Sequence, residues 1–434
     1  MTIVKFNAST GSDTLSSGAG PDDPINGSGA SLNATTTVDL SADSPDLSSI
    51  ATDGTAVLWV QTTTGRQFSK ITGVDNSLKT VTVSDTYGVT ESGKIWAIGG
   101  KRATWDNSNS RTLFASDGEE FLITTETDQS LTSELDISVR CTIAGSGGIK
   151  TVDQSADAAN FGETTISNLY LANLKFTNSN GSSTANSRAY HRNGHILAYN
   201  CIFGDSTNQL YYAIEHKTGR TSYFLTNCVV QYCIGDGVRP SHSICSGHYT
   251  NCIFHSNGGS GVNVGDNSLF FRNCVFANNT THGLKVTNAN TIIGIDHCVF
   301  YNNGSDGYNG YLGHQSMLIN SAFYGNTGNG VNALASSNNC LVFGNFAQSS
   351  ETYTNFSIGS DVTTLTADIF VDETADIFNL NTNAGGGAEL IEHNFDYGTA
   401  KTRPFRWLDV SRFARSSINP TVLKSFAKLT IKGN

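Results

Sequence analysis

The chain has 434 residues, of which 15% are charged, with 44 glycines, six prolines and a formal net charge of −11 at pH 7. No stretch approaches the roughly 20 apolar residues that a membrane-spanning helix needs, so a membrane partner is not expected. The acidic balance, with no basic residues interleaved with a stacking platform, argues against nucleic acid.

The opening stretch, Met1-Thr2-Ile3-Val4-Lys5-Phe6-Asn7, lacks the charged-then-apolar order of a signal peptide. Further on, Val57-Leu58-Trp59-Val60, Arg66-Gln67-Phe68-Ser69-Lys70-Ile71 and Lys79-Thr80-Val81-Thr82-Val83-Ser84 alternate apolar and polar positions. They predict antiparallel strands that turn near Thr64-Gly65 and Asp75-Asn76. Residues 1–103 therefore read as a small N-terminal β domain, one that would also shield an open sheet edge behind it.

From about residue 104 a repeat takes over. Asn200-Cys201-Ile202-Phe203 returns as Asn227-Cys228-Val229-Val230, Asn251-Cys252-Ile253-Phe254, Asn273-Cys274-Val275-Phe276 and His297-Cys298-Val299-Phe300. It fades through Asn320-Ser321-Ala322-Phe323 and Asn339-Cys340-Leu341-Val342. Successive cysteines lie 27, 24, 22 and 24 residues apart, and Gly237, Gly261, Gly283, Gly307 and Gly330 follow the repeat position by nine. A fixed block within a wandering period means stacked coils whose insertions fall on one side. The fold expected is all-β: a right-handed parallel β-helix over 104–400, its hand following from the crossover preference of parallel strands.

Within one quartet, strand alternation puts Cys and Phe on one face and the residue between them on the other. Cys201, Cys228, Cys252, Cys274, Cys298 and Cys340 are expected to stack inside as small apolar fillers. No Cys-x-x-Cys pair exists and Cys228, Cys233 and Cys245 fit no zinc spacing, so neither metal nor other cofactor is expected. Asn227, Asn251 and Asn273 suit amide ladders and left-handed corners. The glycines suit a tight bend that a Cβ would hinder. The middle column, Ile202, Val229, Ile253, Val275 and Val299, has two readings. A flat strand leaves it as an outer apolar stripe that packs against sister chains in a parallel trimer; a bend turns it inward.

Chemistry is harder to find. Glycan hydrolysis needs two carboxylates roughly 5–10 Å apart, and coil stacking could gather Glu215, Asp236, Asp266 and Asp306. Yet Asp236 and Asp306 precede corner glycines, where Ser260, His282 and Asn329 stand in other coils, which reads as turn chemistry. Tyr211, Tyr212, Tyr249, Tyr308 and Tyr311 could stack on sugars or serve as ordinary strand residues. His191, His195, His216, His242, His248 and His255 are scattered without a ligand pattern. Catalysis is not expected, and if present would be glycoside hydrolysis or polysaccharide lysis.

The quartets and their nine-residue offset resemble right-handed β-helix proteins of the pectate-lyase-like superfamily. The blocks Gly65-Arg66-Gln67-Phe68-Ser69 and Trp96-Ala97-Ile98-Gly99-Gly100-Lys101-Arg102 look like β-helix proteins encoded by bacteriophages, and Lys401–Val410 resembles a strand that closes such solenoids. Ile295-Asp296-His297-Cys298 resembles a pectate-lyase stretch, although His297 stands where the other coils have Asn. The phage resemblance implies a homotrimeric virion part with capsid or tail proteins as partners. The main expectation is a non-enzymatic head-decoration protein; the alternative is a tailspike that binds or depolymerises a host surface glycan. A secreted adhesin or lyase is the third reading.

Residues 401–434 carry eight basic residues against one acid, a charge of +7, leaving −18 for residues 1–400. This basic tail, with Arg403, Arg406, Arg412 and Arg415, either docks on an acidic partner or caps acids of its own body. A weak helix pattern spans 419–428.

Overall fold

In the first strand, Ile3 to Phe6 alternate so that Val4 and Phe6 are fully buried, and Thr2–Phe6 pairs in parallel with Glu120–Thr125 (Thr2 beside Phe121, Phe6 beside Thr125). The structure, a computed structural model, describes residues 2–9, 20–21, 24–101, 103–105, 120–132, 135, 137, 140–156, 168–180, 188–191, 194–216, 221–240, 245–265, 267–333, 340–354, 357–358, 362–372, 377–393 and 395. Asp266, the tail arginines Arg403, Arg406, Arg412 and Arg415, the 419–428 helix pattern and the Cys340 side chain lie outside the described residues. The chain divides into two units, Met1–Ser182 and Ser183–Asn434.

The first unit holds a closed antiparallel barrel whose strands run Ile25–Asn33, Thr37–Asp39, Thr80–Val83, Gly65–Asp75, Val57–Thr62 and Thr90–Ile98 around the wall. Leu32, Val38, Leu58, Val60, Val81 and Trp96 fill it. Two of its polar groups are tied down: the Trp96 indole N–H donates to Asp43 at 2.7 Å and the Tyr87 hydroxyl to the Leu58 carbonyl at 2.8 Å. Because Thr2–Phe6 already forms a solenoid strand, the barrel is inserted between two neighbouring strands rather than standing in front of them. The 1–103 domain is thereby amended at its start: residues 2–6 belong to the solenoid. Arg140–Gly145 and Asn168–Ala172 continue that parallel sheet, and Gln129–Leu131, Lys150–Gln154 and Leu174–Thr177 form a second one.

The second unit is a right-handed parallel β-helix, each coil giving one strand to each of three sheets. The first sheet includes Gly194–Tyr199, Thr221–Thr226, Cys245–Thr250, Asn267–Arg272, Ile292–Asp296 and Gln315–Ile319. The second carries the repeat quartets, with Val229–Gln231, Ile253–His255, Val275–Ala277, Val299–Tyr301 and Ala322–Tyr324 in register. The third, eight-stranded, includes Tyr212–His216, Val238–Pro240, Val262–Val264, Leu284–Val286, Tyr308–Gly310 and Val331–Ala333.

The interior is built of columns. Cys201, Cys228, Cys252, Cys274 and Cys298 are fully buried, and Ser321 takes the next place. Phe254, Phe276, Phe300 and Phe323 stack with centroids 4.7–5.0 Å apart. Asn200, Asn227, Asn251 and Asn273 turn the corner in left-handed conformation, φ 52–54°, and His297 joins them at 50°. Side-chain amides of Asn273 and Asn251 donate to the Asn one coil earlier at 2.8 and 3.2 Å. A second, buried ladder runs Asn257, Asn279, Asn303, Asn326 and ends on Glu351. Gly237, Gly261, Gly283 and Gly307 need no left-handed φ. A Cβ on each would lie 2.6–2.8 Å from the carbonyl oxygen of the glycine one coil on, so coil-to-coil proximity excludes a side chain. At Gly330, one coil further, it would lie 3.0 Å from the Glu351 carboxylate.

After Leu365 the chain leaves the solenoid. Phe370–Asp372 pairs antiparallel with Ile377–Leu380, and a short helix, Gly387–Glu392, follows. Ile369, Phe370, Phe378, Leu390 and Phe395 form one buried cluster with Val275, Val299, Ala322 and Phe346. This flap corrects the interface expectation. The middle column lies against the flap, separate from the stacked phenylalanines, but the chain's own C-terminal segment covers it. Val275 and Val299 are fully buried and Ile253 packs partly against the same cluster, which leaves Ile202 and Val229 half-buried beyond it.

Candidate functional site

The acids singled out by coil stacking hold corners of the third sheet. Asp236 accepts the Ser260 N–H at 2.8 Å through Oδ1 and the Asn263 amide at 2.9 Å through Oδ2. Asp306 accepts from the N–H and side-chain amide of Asn329, at 2.8 and 2.9 Å, and from Asn309 and Asn332. Burial works against its ionisation, but these donors outweigh it and hold the carboxyl below its usual range. His282 lies one coil before, its Nδ1 accepting the Asp306 N–H at 3.3 Å.

The column from Asp236 runs through Ser260 and His282 to Asp306, as the ladder Gly237 to Ser260, Gly261 to His282 and Gly283 to Asp306 shows. At about 4.8 Å per coil the two acids stand roughly 14 Å apart, too far for the carboxylate pair of a glycosidase. Glu215 is buried and opposes Arg239 across the ladder. Arg239 itself donates to the Tyr212 hydroxyl and lies over that ring, 5.3 Å from its centre. Asp236 and Asp306 are therefore not a carboxylate pair of that kind. Among the described residues no group of three His, Cys, Asp or Glu could hold a metal ion.

Of the tyrosines weighed as sugar-stacking residues, Tyr249 and Tyr308 are interior, Tyr212 is buried against Tyr211, and Tyr311 is exposed. The interior pair sits on strand positions that alternate inward, which the local sequence does not distinguish from surface aromatics. A further row of rings, half-buried to exposed, lies on the outer face of the first sheet. Phe224 stacks on His248 (centroids 5.3 Å, planes 1° apart) and His248 on Phe270 (5.1 Å, 16°). These residues are in direct register on successive strands, and the next strand has Gly294 there. A Cβ at Gly294 would meet Phe270 Cδ1 at 2.5 Å, so the Phe270 ring takes the space of a side chain on that strand.

Phe270, Ile292 and Met317 are each 44% exposed around this point. Two residues towards the strand starts, Ser222, Ser246 and Ser268 form a hydroxyl column, with Ser222 and Ser246 2.8 Å apart. Two residues towards the strand ends stand Thr226, Thr250, Arg272 and Asp296; the Arg272 Nε lies 3.6 Å from Asp296. Asp296 also pairs with His297 Nδ1 at 2.6 Å. Burial holds the His195 and His248 imidazoles below their ordinary range. The signal for this face was in the repeat: Phe224, His248, Phe270, Gly294 and Met317 each lie four residues before the repeat position. Attention to the cysteine block alone passes over it and leaves His248 among scattered loop histidines.

A family model described as a right handed beta helix region matches residues 242–363. No curated protein sequence matches the chain. Among solved structures, a pectate lyase, Pel9A, is similar over 63% of this chain and 84% of its own, at 14% identity and a TM-score of 0.43. The tailspike protein gp49 from Pseudomonas phage LKA1 is similar over 80% of this chain and 60% of its own, at 12% identity and a TM-score of 0.27. The Gp54 tailspike of Acinetobacter baumannii bacteriophage AP22, solved in complex with a capsular saccharide, is similar over 79% and 57%, at 11% identity and a TM-score of 0.21.

Proposed function

We propose that the chain is a phage virion protein of the tailspike type, which lays the outer face of its first sheet against a host surface saccharide. The carrying observation is the three-ring stack of Phe224, His248 and Phe270, half-buried at its first two rings and exposed at Phe270, between a hydroxyl column and a charged pair. The rings cover one another's faces, and the face left open at the Phe270 end suits the apolar face of a sugar ring at little entropic cost. Binding is favoured over cleavage by the separation of Asp236 from Asp306 and the full use of both in corner hydrogen bonds. The test is retention of the purified full chain on immobilised host surface polysaccharide. Retention without release of oligosaccharides supports the reading; release of defined oligosaccharides makes the protein an enzyme, and lack of retention returns the decoration reading.

A further inference from the structure

The outer face of the first sheet is distinctive in its charge. At its described outward positions in the second unit, from His195 to Met317, the ionised groups at neutral pH are Arg272 and Asp296, which lie beside each other and cancel. Partial burial lowers the pKa of His195 and His248, which favours their neutral forms. The face is thus electrically balanced on a chain of net charge −11. A polyanion approaching it would meet the repulsion of the whole body with no local cation surplus to offset it.

Its geometry is equally selective. The stacked rings run coil over coil, with a repeat of about 4.8 Å. Phe270 ends the stack over Gly294, and no further ring of the described residues covers it on that side. Ser268 lies two residues to one side and Arg272 two residues to the other, each roughly 6.6 Å along the strand. Asp296 stands beside Arg272 on the next strand. An acceptor on one flank paired with a donor, and a hydroxyl on the other, frame a ligand that is apolar on its face and hydroxylated around its edge. That description fits a pyranose.

Resting on the saccharide-binding reading above, we infer that this face takes a neutral polysaccharide, running along the coil axis, with Phe270 laid over Gly294 as the principal subsite and Arg272 and Asp296 reading the hydroxyls of the sugar stacked there. Gly294 is then a specificity residue: any side chain would lift the ring off the sheet.

The experiment is retention of the full chain on immobilised neutral polysaccharides (barley β-glucan, dextran, galactomannan, and host surface polysaccharide if neutral) and acidic ones (hyaluronan, alginate, polygalacturonate). Phe270→Ala, Gly294→Val and Phe270→Trp are run in parallel, with thermal melts to verify folding. The expected result is retention on a neutral polymer, at least tenfold weaker in Phe270→Ala and Gly294→Val and kept in Phe270→Trp. Equal or tighter retention on the acidic set, or neutral binding unchanged by Phe270→Ala in a folded protein, overturns the inference while leaving saccharide binding intact. Retention on no polysaccharide, the host's own included, overturns both.

Discussion

The backbone N–H and the side-chain amide of Asn326 both donate to Oε1 of Glu351, at 2.7 and 3.0 Å, so a carboxyl group ends the buried asparagine ladder. Burial raises the Glu351 pKa, and the Asn326 donors only partly oppose it. With the folded value above the unfolded one, its stability contribution is full below the ordinary carboxyl range and is lost as pH rises through the folded value. Glu351→Gln keeps the acceptor and removes the charge. The expected outcome is a stability higher than the parent's at pH 8, by on the order of 1 kcal/mol and seen as a raised Tm, and the same Tm at pH 4. Thermal unfolding at the two pH values checks this, and a difference that does not change with pH contradicts it.

His314 titrates in the opposite sense. It is fully buried, its Nε2 2.8 Å from the Tyr308 hydroxyl, and burial lowers its pKa from 6.5 although its hydrogen bond to the Tyr311 carbonyl pulls upward. A lowered folded value means stability that is present above pH 6.5 and lost as pH falls through the folded value. Burial lowers His282 too, against the pull of Asp306. In the Glu351→Gln background, Tm should therefore fall between pH 7.5 and 5.5, and adding His314→Asn should flatten that fall while lowering Tm at pH 7.5. A slope that His314→Asn leaves intact would assign the loss elsewhere.

Covering of the second sheet by the flap makes Val275 a core position. Val275→Lys places an ammonium among Phe370, Phe378 and Leu390 and should cost roughly 2–4 kcal/mol. Limited proteolysis should then cut within residues 366–395 before it cuts the coils. If the variant instead kept its stability and only its oligomeric state changed, the stripe would be an intermolecular surface after all.

Three buried thiols, Cys233 and the stacked Cys252 and Cys274, should be inert. Burial pushes Cys233 up to about 12 and raises Cys252 and Cys274 well above the ordinary thiol value. Iodoacetamide at pH 8 should leave all three unmodified in the folded protein and modify them in guanidinium chloride, as read by peptide mass mapping. Modification of Cys252 or Cys274 in the folded protein would show that the column opens.

The repeat made the coils legible because identical space recurs on every turn, so the same residue type must recur with it. Cys274 and Asn273 show this, one filling the interior and the other bending left-handed at the corner. Positions outside that rhythm were opaque for the same reason. Thr2–Phe6 carries too few residues to announce a strand that pairs more than a hundred residues later. The flap residues Phe370, Phe378 and Phe395 share no period with the column they cover. The roles of Asp236 and Asp306 depend on Asn263, Asn309, Asn329 and Asn332, three of them one coil away. The ring stack was written in the repeat four positions before the cysteines, but its exposure depends on which face of the first sheet remains uncovered.

Hydroxyl-radical footprinting with and without a bound saccharide tests the central claim most directly. The chain has only two methionines, so oxidation of Met317, exposed beside Gly294 on the first sheet, is a clean reporter, and exposed Tyr311 beside the third sheet is its counterpart. The expected result is that saccharide slows oxidation of Met317 and Phe270 and leaves Tyr311 unchanged. Protection of Tyr311 with Met317 and Phe270 unaffected would move the ligand to the corner acids and contradict the account.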